Sequence, residues 1–158
     1  MDLRDLDSST CSVARSLEIV GRPWVLLVLR EAFYGLRRFS DIQEHLGVSR
    51  SVLAARLDEM VEEGLLERRP YREPGRRERT EYVLADRGRD LYPVIVALRQ
   101  WGDRHLAGDD GVPVHAEHAG CGASVRAELV CEAGHVVDSG DVERRPGPGM
   151  RRRDAVAG

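Results

Sequence analysis

The chain has 158 residues, 42% of them hydrophobic, and a formal net charge of −3. That length suits one ordinary domain plus an appendage, and the apolar share is enough for a real core. The charge excludes the overall basicity of a nonspecific nucleic-acid coat, although a specific binder can gather its positive charge on one face. All 24 basic residues are arginine, a bias that fits a GC-rich coding sequence. The start MDLRDLDSST is acidic and polar and has no export-signal pattern. The apolar run 24–29 is far too short to cross a membrane. Three cysteines, an odd number, point to reduced thiols in the cytoplasm rather than a disulfide frame.

Residues 1–10 read as a flexible leader. A short helix is expected from Cys11 or Ser12, with Val13, Leu17 and Val20 on one side and Gly21 as its stop. Pro23 then opens a second helix, at a position where proline is tolerated. Trp24, Leu27, Val28 and Glu31 fall at helical spacing, and Leu26, Leu29 and Phe33 widen the apolar surface. A helix this apolar belongs at the centre of the core. Gly35 ends it, and Arg37 and Arg38 follow, either as contacts to a nucleic-acid backbone or as a solvated turn.

The next stretch, FSDIQEHLGVSRSVLAARLDEMVEEGLLERR, carries the strongest pattern. Ser40 can cap a helix whose Ile42 and Leu46 share a face. Gly47 ends that helix, because only glycine enters the left-handed region cheaply. Val48 is short and apolar, as the inside of a tight turn requires, and Ser49 caps the next helix. Leu53, Leu57, Met60 and Val61 then form an amphipathic stripe. Gly64 ends it. Leu65 and Leu66 start a strand, and residues 80–84 alternate as a returning strand would. Between them runs a loop with Arg68, Arg69, Arg72, Arg76, Arg77 and Arg79, shaped by Pro70, Pro74 and Gly75.

Helix, tight turn, helix and basic β-loop together outline a winged helix-turn-helix, a mainly α fold with a small β-wing (α+β). The helix after Val48 is the one expected in the major groove. It would offer Ser49, Arg50, Ser51, Ala54 and Ala55, with Arg56 on the flank. Alanine methyls suit contact with thymine and supply no bidentate amide for adenine. Arginines in the wing suit phosphates or a narrow minor groove. A competing reading remains open here. Helix pairs with a glycine turn are common, and an arginine run is often a solvated loop, partly neutralised here by Glu67, Glu73, Glu78 and Glu81.

After the wing, residues 85–86 cap a long helix running to about Leu106, striped by Leu91, Val94, Ile95, Leu98, Trp101 and His105. Pro93 falls early in it, so the helix either starts nearer residue 90 or bends there. Such an apolar face, outside a compact winged core, meets a second copy of the chain or folds back on residues 13–20. Residues 108–114 read as a linker. Beyond it, His118-Ala-Gly-Cys121, nine residues, and Cys131-Glu-Ala-Gly-His135 make an H-x2-C, C-x3-H set. Two thiolates and two imidazoles would close a tetrahedral, structural zinc site with no open position for a hydrolytic water. A small β-hairpin over 115–143 would hold the two ends together. The second half departs from a standard knuckle: Gly134 stands where a cysteine is usual, and His135 follows one place later. The set is therefore either a working ligand group or the relic of one, with His115 as a spare. The Pro/Gly/Arg-rich residues 144–158 read as a disordered tail.

Taken in order, the early cysteine, the PW-x-LL-x-LR run, the RRF, the G-V-S turn and the terminal WG resemble the HxlR-type transcription regulators, relatives of the MarR-type winged-helix proteins. The resemblance covers about residues 11–107. It implies a homodimeric, sequence-specific DNA-binding regulator, often a repressor, acting on an inverted repeat with half-sites about one helical turn apart. It maps the recognition helix onto residues 49–62 and the wing onto about 68–80, and DNA binding would need no cofactor. Ser51, Ala54 and Ala55 stand where the family usually has longer polar residues, which shifts specificity toward the wing and indirect readout. Cys11 matches a cysteine that some members use to sense oxidants or electrophiles. A helix N-terminus and Arg15 would favour its thiolate, and Asp7 would oppose it. The alternative is a small buried cysteine at a dimer seam. The effector is thus an oxidant at Cys11, a small apolar ligand between the core and the terminal helices, or none. No enzyme is expected: the His/Cys group lacks a glutamate base, and no phosphate loop or Ser–His–Asp set is present. The other class to weigh is a winged-helix adaptor that binds proteins without specific DNA.

Overall fold

A computed structural model of the protein describes residues 7–75 and 77–151. In chain order these form α1 (Ser12–Val20), α2 (Val25–Phe33), α3 (Phe39–Leu46), α4 (Arg50–Glu62), β1 (Leu66–Tyr71), β2 (Arg79–Leu84), α5 (Asp86–Arg89) and α6 (Tyr92–His105). β1 and β2 are antiparallel, with Leu66 opposite Leu84 at the root and Tyr71 opposite Arg79 at the far end. This is the expected α+β winged helix.

The core forms where the sequence stripes converge. α4 contributes Leu53, Leu57 and Met60, α2 contributes Val28 and Leu29, and α3 contributes Ile42, each no more than 1% exposed. Val48 in the turn and Leu65 and Leu66 at the strand root complete the cluster. Each such side chain contributes roughly 1.5–3 kcal/mol by leaving water. α2 is the central helix, as its all-round apolar sequence predicts. It packs on α1, α3, β2 and α6, the last partly through Phe33 and Tyr92, whose ring centroids are 4.7 Å apart.

Three boundaries differ from expectation for local reasons. α2 begins at Val25 rather than at Pro23, because Trp24 adopts a left-handed backbone with φ of 75° and serves as the N-cap. α3 is capped by Arg38, not by Ser40. Arg38 bridges to Glu81, and the Tyr82 amide donates to the Arg37 carbonyl at 2.8 Å. Those bonds hold the chain extended until Phe39, so Ser40 falls inside the first turn and donates its hydroxyl to Asp41 at 2.9 Å. The expected long helix after the wing is split into α5 and α6, with Pro93 in the first turn of α6, where its missing N–H costs nothing. α1 and α6 do not bury one another: α1 has no buried residue, and of α6 only Val96 is buried. No helix among the described residues is long and apolar enough to cross a membrane.

Gly88 lets α5 sit against the sheet root. A β-carbon there would lie 2.1 Å from the Leu65 carbonyl oxygen, which already accepts the Ala85 amide at 3.1 Å. The clash is with backbone, so little can yield. Gly88→Ala is expected to destabilise the fold by about 1–3 kcal/mol. A urea titration would show this as a lower midpoint at unchanged slope. An unchanged midpoint would mean that α5 is not held against the Leu65 carbonyl in solution.

Candidate nucleic-acid interface

The turn between α3 and α4 is built as its residues dictate. Gly47 closes α3 with φ of 63°, and Ser49 caps α4 by accepting the Val52 amide at 3.4 Å. Burying Leu53, Leu57 and Met60 turns the opposite side of α4 outward. Ser49, Arg50, Ser51 and Ala55 are exposed there, and Ala54 is half-buried. The Arg50 guanidinium lies over the Phe39 ring at 5.0 Å, which positions the charge without neutralising it. Arg56 does not share that surface. Its side chain is 16% exposed and bonded to Glu59, which Arg22 also engages at 3.2 Å. It is better described as a brace within α4, reaching toward the segment that follows α1, than as a contact for DNA.

The wing arginines fall into two groups. Arg68 pairs with Asp58 at 2.5 Å, tying the sheet to α4. Hydrogen bonds to Asp58 and then Tyr82 raise its pKa above the ordinary arginine value. Arg38 pairs with Glu73 at 2.9 Å and lies 4.8 Å over the Tyr71 ring, so it pins the wing rather than standing free before α3. Arg72, Arg77 and Arg79 are exposed at the far end of the hairpin. Among the described residues, Arg77 and Arg79 pair with no carboxylate. Arg76, also expected in this group, lies outside the described residues.

A helix N-terminus whose Arg50 pairs with no carboxylate among the described residues thus stands on the same domain as an arginine-tipped hairpin. The HxlR-like helix-turn-helix family model matches residues 19–110, which contain both. The chain belongs to the HxlR-like helix-turn-helix family. It is 43% identical over 143 residues to Rv3095 of Mycobacterium tuberculosis, an HTH-type transcriptional regulator itself uncharacterised, covering 90% of this chain and 89% of that one. Among solved structures it is similar to PA1607, a candidate transcription factor, at 35% identity and a TM-score of 0.76, covering 87% of this chain and 95% of that one. It is also similar to PA1374 of Pseudomonas aeruginosa, another candidate transcription factor, at 37% identity and a TM-score of 0.60, covering 87% of this chain and 93% of that one. A match of 143 residues must run past residue 110, so part of the appendage lies within it. These relatives are regulators of transcription and not enzymes, and so is this HxlR-like protein.

Cys11 is exposed and sits at the N-cap of α1, its carbonyl accepting the Arg15 amide at 3.0 Å. It lines a surface cleft with Asp7, Arg15, Met150 and Arg151. The tail reaches that cleft because the Asp7 amide donates to the Arg151 carbonyl at 3.0 Å. In the single chain Cys11 is therefore open to solvent rather than a small buried residue.

The appendage departs from expectation. Instead of one hairpin joining its ends, it forms two loops, each closed on itself. In the first, Glu117 bridges to Ser124, and in the second Val130 bridges to Val136. Gly122 and Gly134 take left-handed conformations that close these turns. His118 Nδ1 comes within 3.2 Å of Cys121 Sγ. The four proposed ligands His118, Cys121, Cys131 and His135 do not converge: among the described residues no three His, Cys, Asp or Glu side chains gather as a metal group. The two turns are present, but no strand pairing between the loops brings their tips together.

Sequence reasoning missed what secures the appendage. Gln100 on α6 donates its amide to the Ala127 carbonyl at 3.3 Å and accepts the Ala127 amide, much as a neighbouring strand would. Arg99 donates to the Val125 carbonyl at 3.4 Å. Two adjacent polar residues interrupting the apolar pattern of α6 were the only signal available.

Proposed function

We propose that the protein is a homodimeric, sequence-specific DNA-binding repressor of the cytoplasm, released by a redox or small-molecule signal. The observation that carries this is the exposed start of α4, with Arg50 at its head, beside a hairpin whose Arg77 and Arg79 have no carboxylate partner among the described residues. A duplex supplies phosphates for these cations, and Ser51, Ala54 and Ala55 face the groove between them. Short side chains leave much of the specificity to the wing and to DNA shape. The dimer rests on α1 and α6, which expose Val13, Leu17, Val94, Leu98 and Trp101. Stripes of this kind on two terminal helices are what a self-complementary seam requires. Two copies then place two α4 helices for an inverted repeat. Cys11, exposed beside Arg15, is the proposed redox switch.

The test is binding to the DNA upstream of its own gene, with and without a mild thiol oxidant. Specific, salt-sensitive binding that the oxidant abolishes supports the reading, and Cys11→Ser is expected to bind normally and ignore the oxidant. Specific binding indifferent to oxidant removes Cys11 from the switch and leaves a small molecule as the signal. No specific binding at low salt overturns the reading in favour of a winged-helix protein adaptor.

A further inference from the structure

Between α2 and α6 lies a cleft of about 500 Å3, within the size range of small-molecule sites. Leu26, Leu27, Ile95, Val96 and Leu98 make it largely apolar. Arg30, His45, Arg99 and the phenols of Tyr34 and Tyr92 supply every polar side chain in its lining, and no carboxylate is among them. Pro113 and Val114, from the segment joining α6 to the appendage, form part of the wall. Both lie beyond residue 110, where the family model ends. The bonds from Arg99 and Gln100 to residues 125 and 127 hold the appendage against α6, and the joining segment before it completes this cleft.

We propose that the cleft is an effector site for a small acid with an apolar body, such as a medium-chain monocarboxylate. The proposal rests on the regulator reading above and names the signal. The lining chemistry sets the ligand class: bases and phenols without a carboxylate favour an anion, and the aliphatic surface favours a hydrocarbon body. Arg99 has bonding capacity to spare. Its Nε is buried with no hydrogen-bond partner, and its ion pair with Asp103 is a loose one at 3.8 Å.

The same cleft touches the reading head through Glu31, a fully buried carboxylate on α2. Arg30 donates Nε to one Glu31 oxygen at 2.8 Å, and His45 Nδ1 lies 2.6 Å from the other. His45 stands in the last turn of α3, two residues before Gly47 and the turn into α4. An acid drawing Arg30 toward itself takes a partner from a buried charge and leaves Glu31 leaning on His45 alone. Occupancy of the cleft and the packing of α3 on α2 are thereby linked, which is what an effector needs in order to bias two states.

The test uses the full chain and octanoate as the probe, with 1-octanol and octylamine as controls, followed by calorimetry. Octanoate is expected to bind saturably, roughly tenfold or more tighter than octanol, and octylamine not at all. Arg99→Gln is expected to weaken octanoate by roughly tenfold. Val114→Trp, which fills the wall from a position 39% exposed, is expected to remove binding while leaving fold and DNA affinity intact. Octanoate should lower operator affinity in the unaltered protein and not in Val114→Trp. The proposal is overturned if octanoate does not saturate, if octanol binds as tightly, or if Val114→Trp binds octanoate unchanged. Unaltered operator affinity at saturating octanoate overturns the link to α3. If octanoate binds as described and no operator DNA is bound at all, the ligand site holds and the regulator reading falls.

Discussion

Replacing Arg77 and Arg79 together with alanine is expected to weaken operator binding about a hundredfold near 0.1 M salt and to flatten its salt dependence. Both side chains are exposed at the far end of the hairpin and neither has a carboxylate partner among the described residues. Each is therefore available to displace a counterion from a phosphate. A dimer would lose four such contacts, and each contributes about 0.9 to the slope of log affinity against log salt. The slope should become shallower by roughly 3–4, and nonspecific DNA should lose affinity alongside the operator, because phosphate contacts position without reading sequence. Thermal stability should stay level, since both side chains are exposed. Arg145→Ala, in the tail and paired with Glu143 at 2.9 Å, serves as the control. A salt slope identical to that of the unaltered protein would remove the wing from the interface.

The second large effect concerns assembly. If the protein dimerises as proposed, Trp101→Asp is expected to convert it to a monomer in sedimentation and to lower operator affinity by about two orders of magnitude or more. Trp101 is 57% exposed in the single chain and carries no part of the core, so its loss should not unfold the winged helix. Leu98 and Val94 extend the same stripe of α6, at 48% and 42% exposed. A carboxylate set into such a seam loses its hydration on association and finds no partner there. The DNA effect follows from effective concentration: a tethered second copy binds its half-site as a nearly intramolecular event, and a monomer forfeits that. A variant that still sediments as a dimer would place the seam elsewhere.

The fold was legible where one residue type has one physical use. Gly47 could only be a left-handed stop, Ser49 beside it could only be a cap worth making, and the Leu53–Leu57–Met60 spacing admits one buried face. Pro93 was legible in kind, since a proline is at home in the first turn and nowhere later. The cap of α3 was not, because the bonds that hold Arg38 extended come from residues 81 and 82, far along the chain. Arg56 is drawn inward by Glu59, a local partner three residues on in the same helix, which a reading of the arginines alone overlooks. In the appendage the two glycine turns were readable, but whether two loops meet at their tips depends on pairing that alternation does not encode. The cleft between α2 and α6 was foreseen only as a place, a ligand between the core and the terminal helices. Its basic lining requires residues from α2, α3 and α6 to meet, which no single stretch displays.

The short bridge from Arg38 to Glu81, reinforced by Arg38 on Glu73 and Tyr71, has a mechanical consequence. It welds the entrance of α3 to the returning strand of the hairpin, so the wing is no free flap hinged at its root. Were α3 to tilt on α2, the hairpin would travel with it, and the proposed reading helix and the arginine tip would swing as one rigid calliper. In the proposed complex the span between its jaws would then be set by the protein, and the duplex would have to supply the groove width that matches.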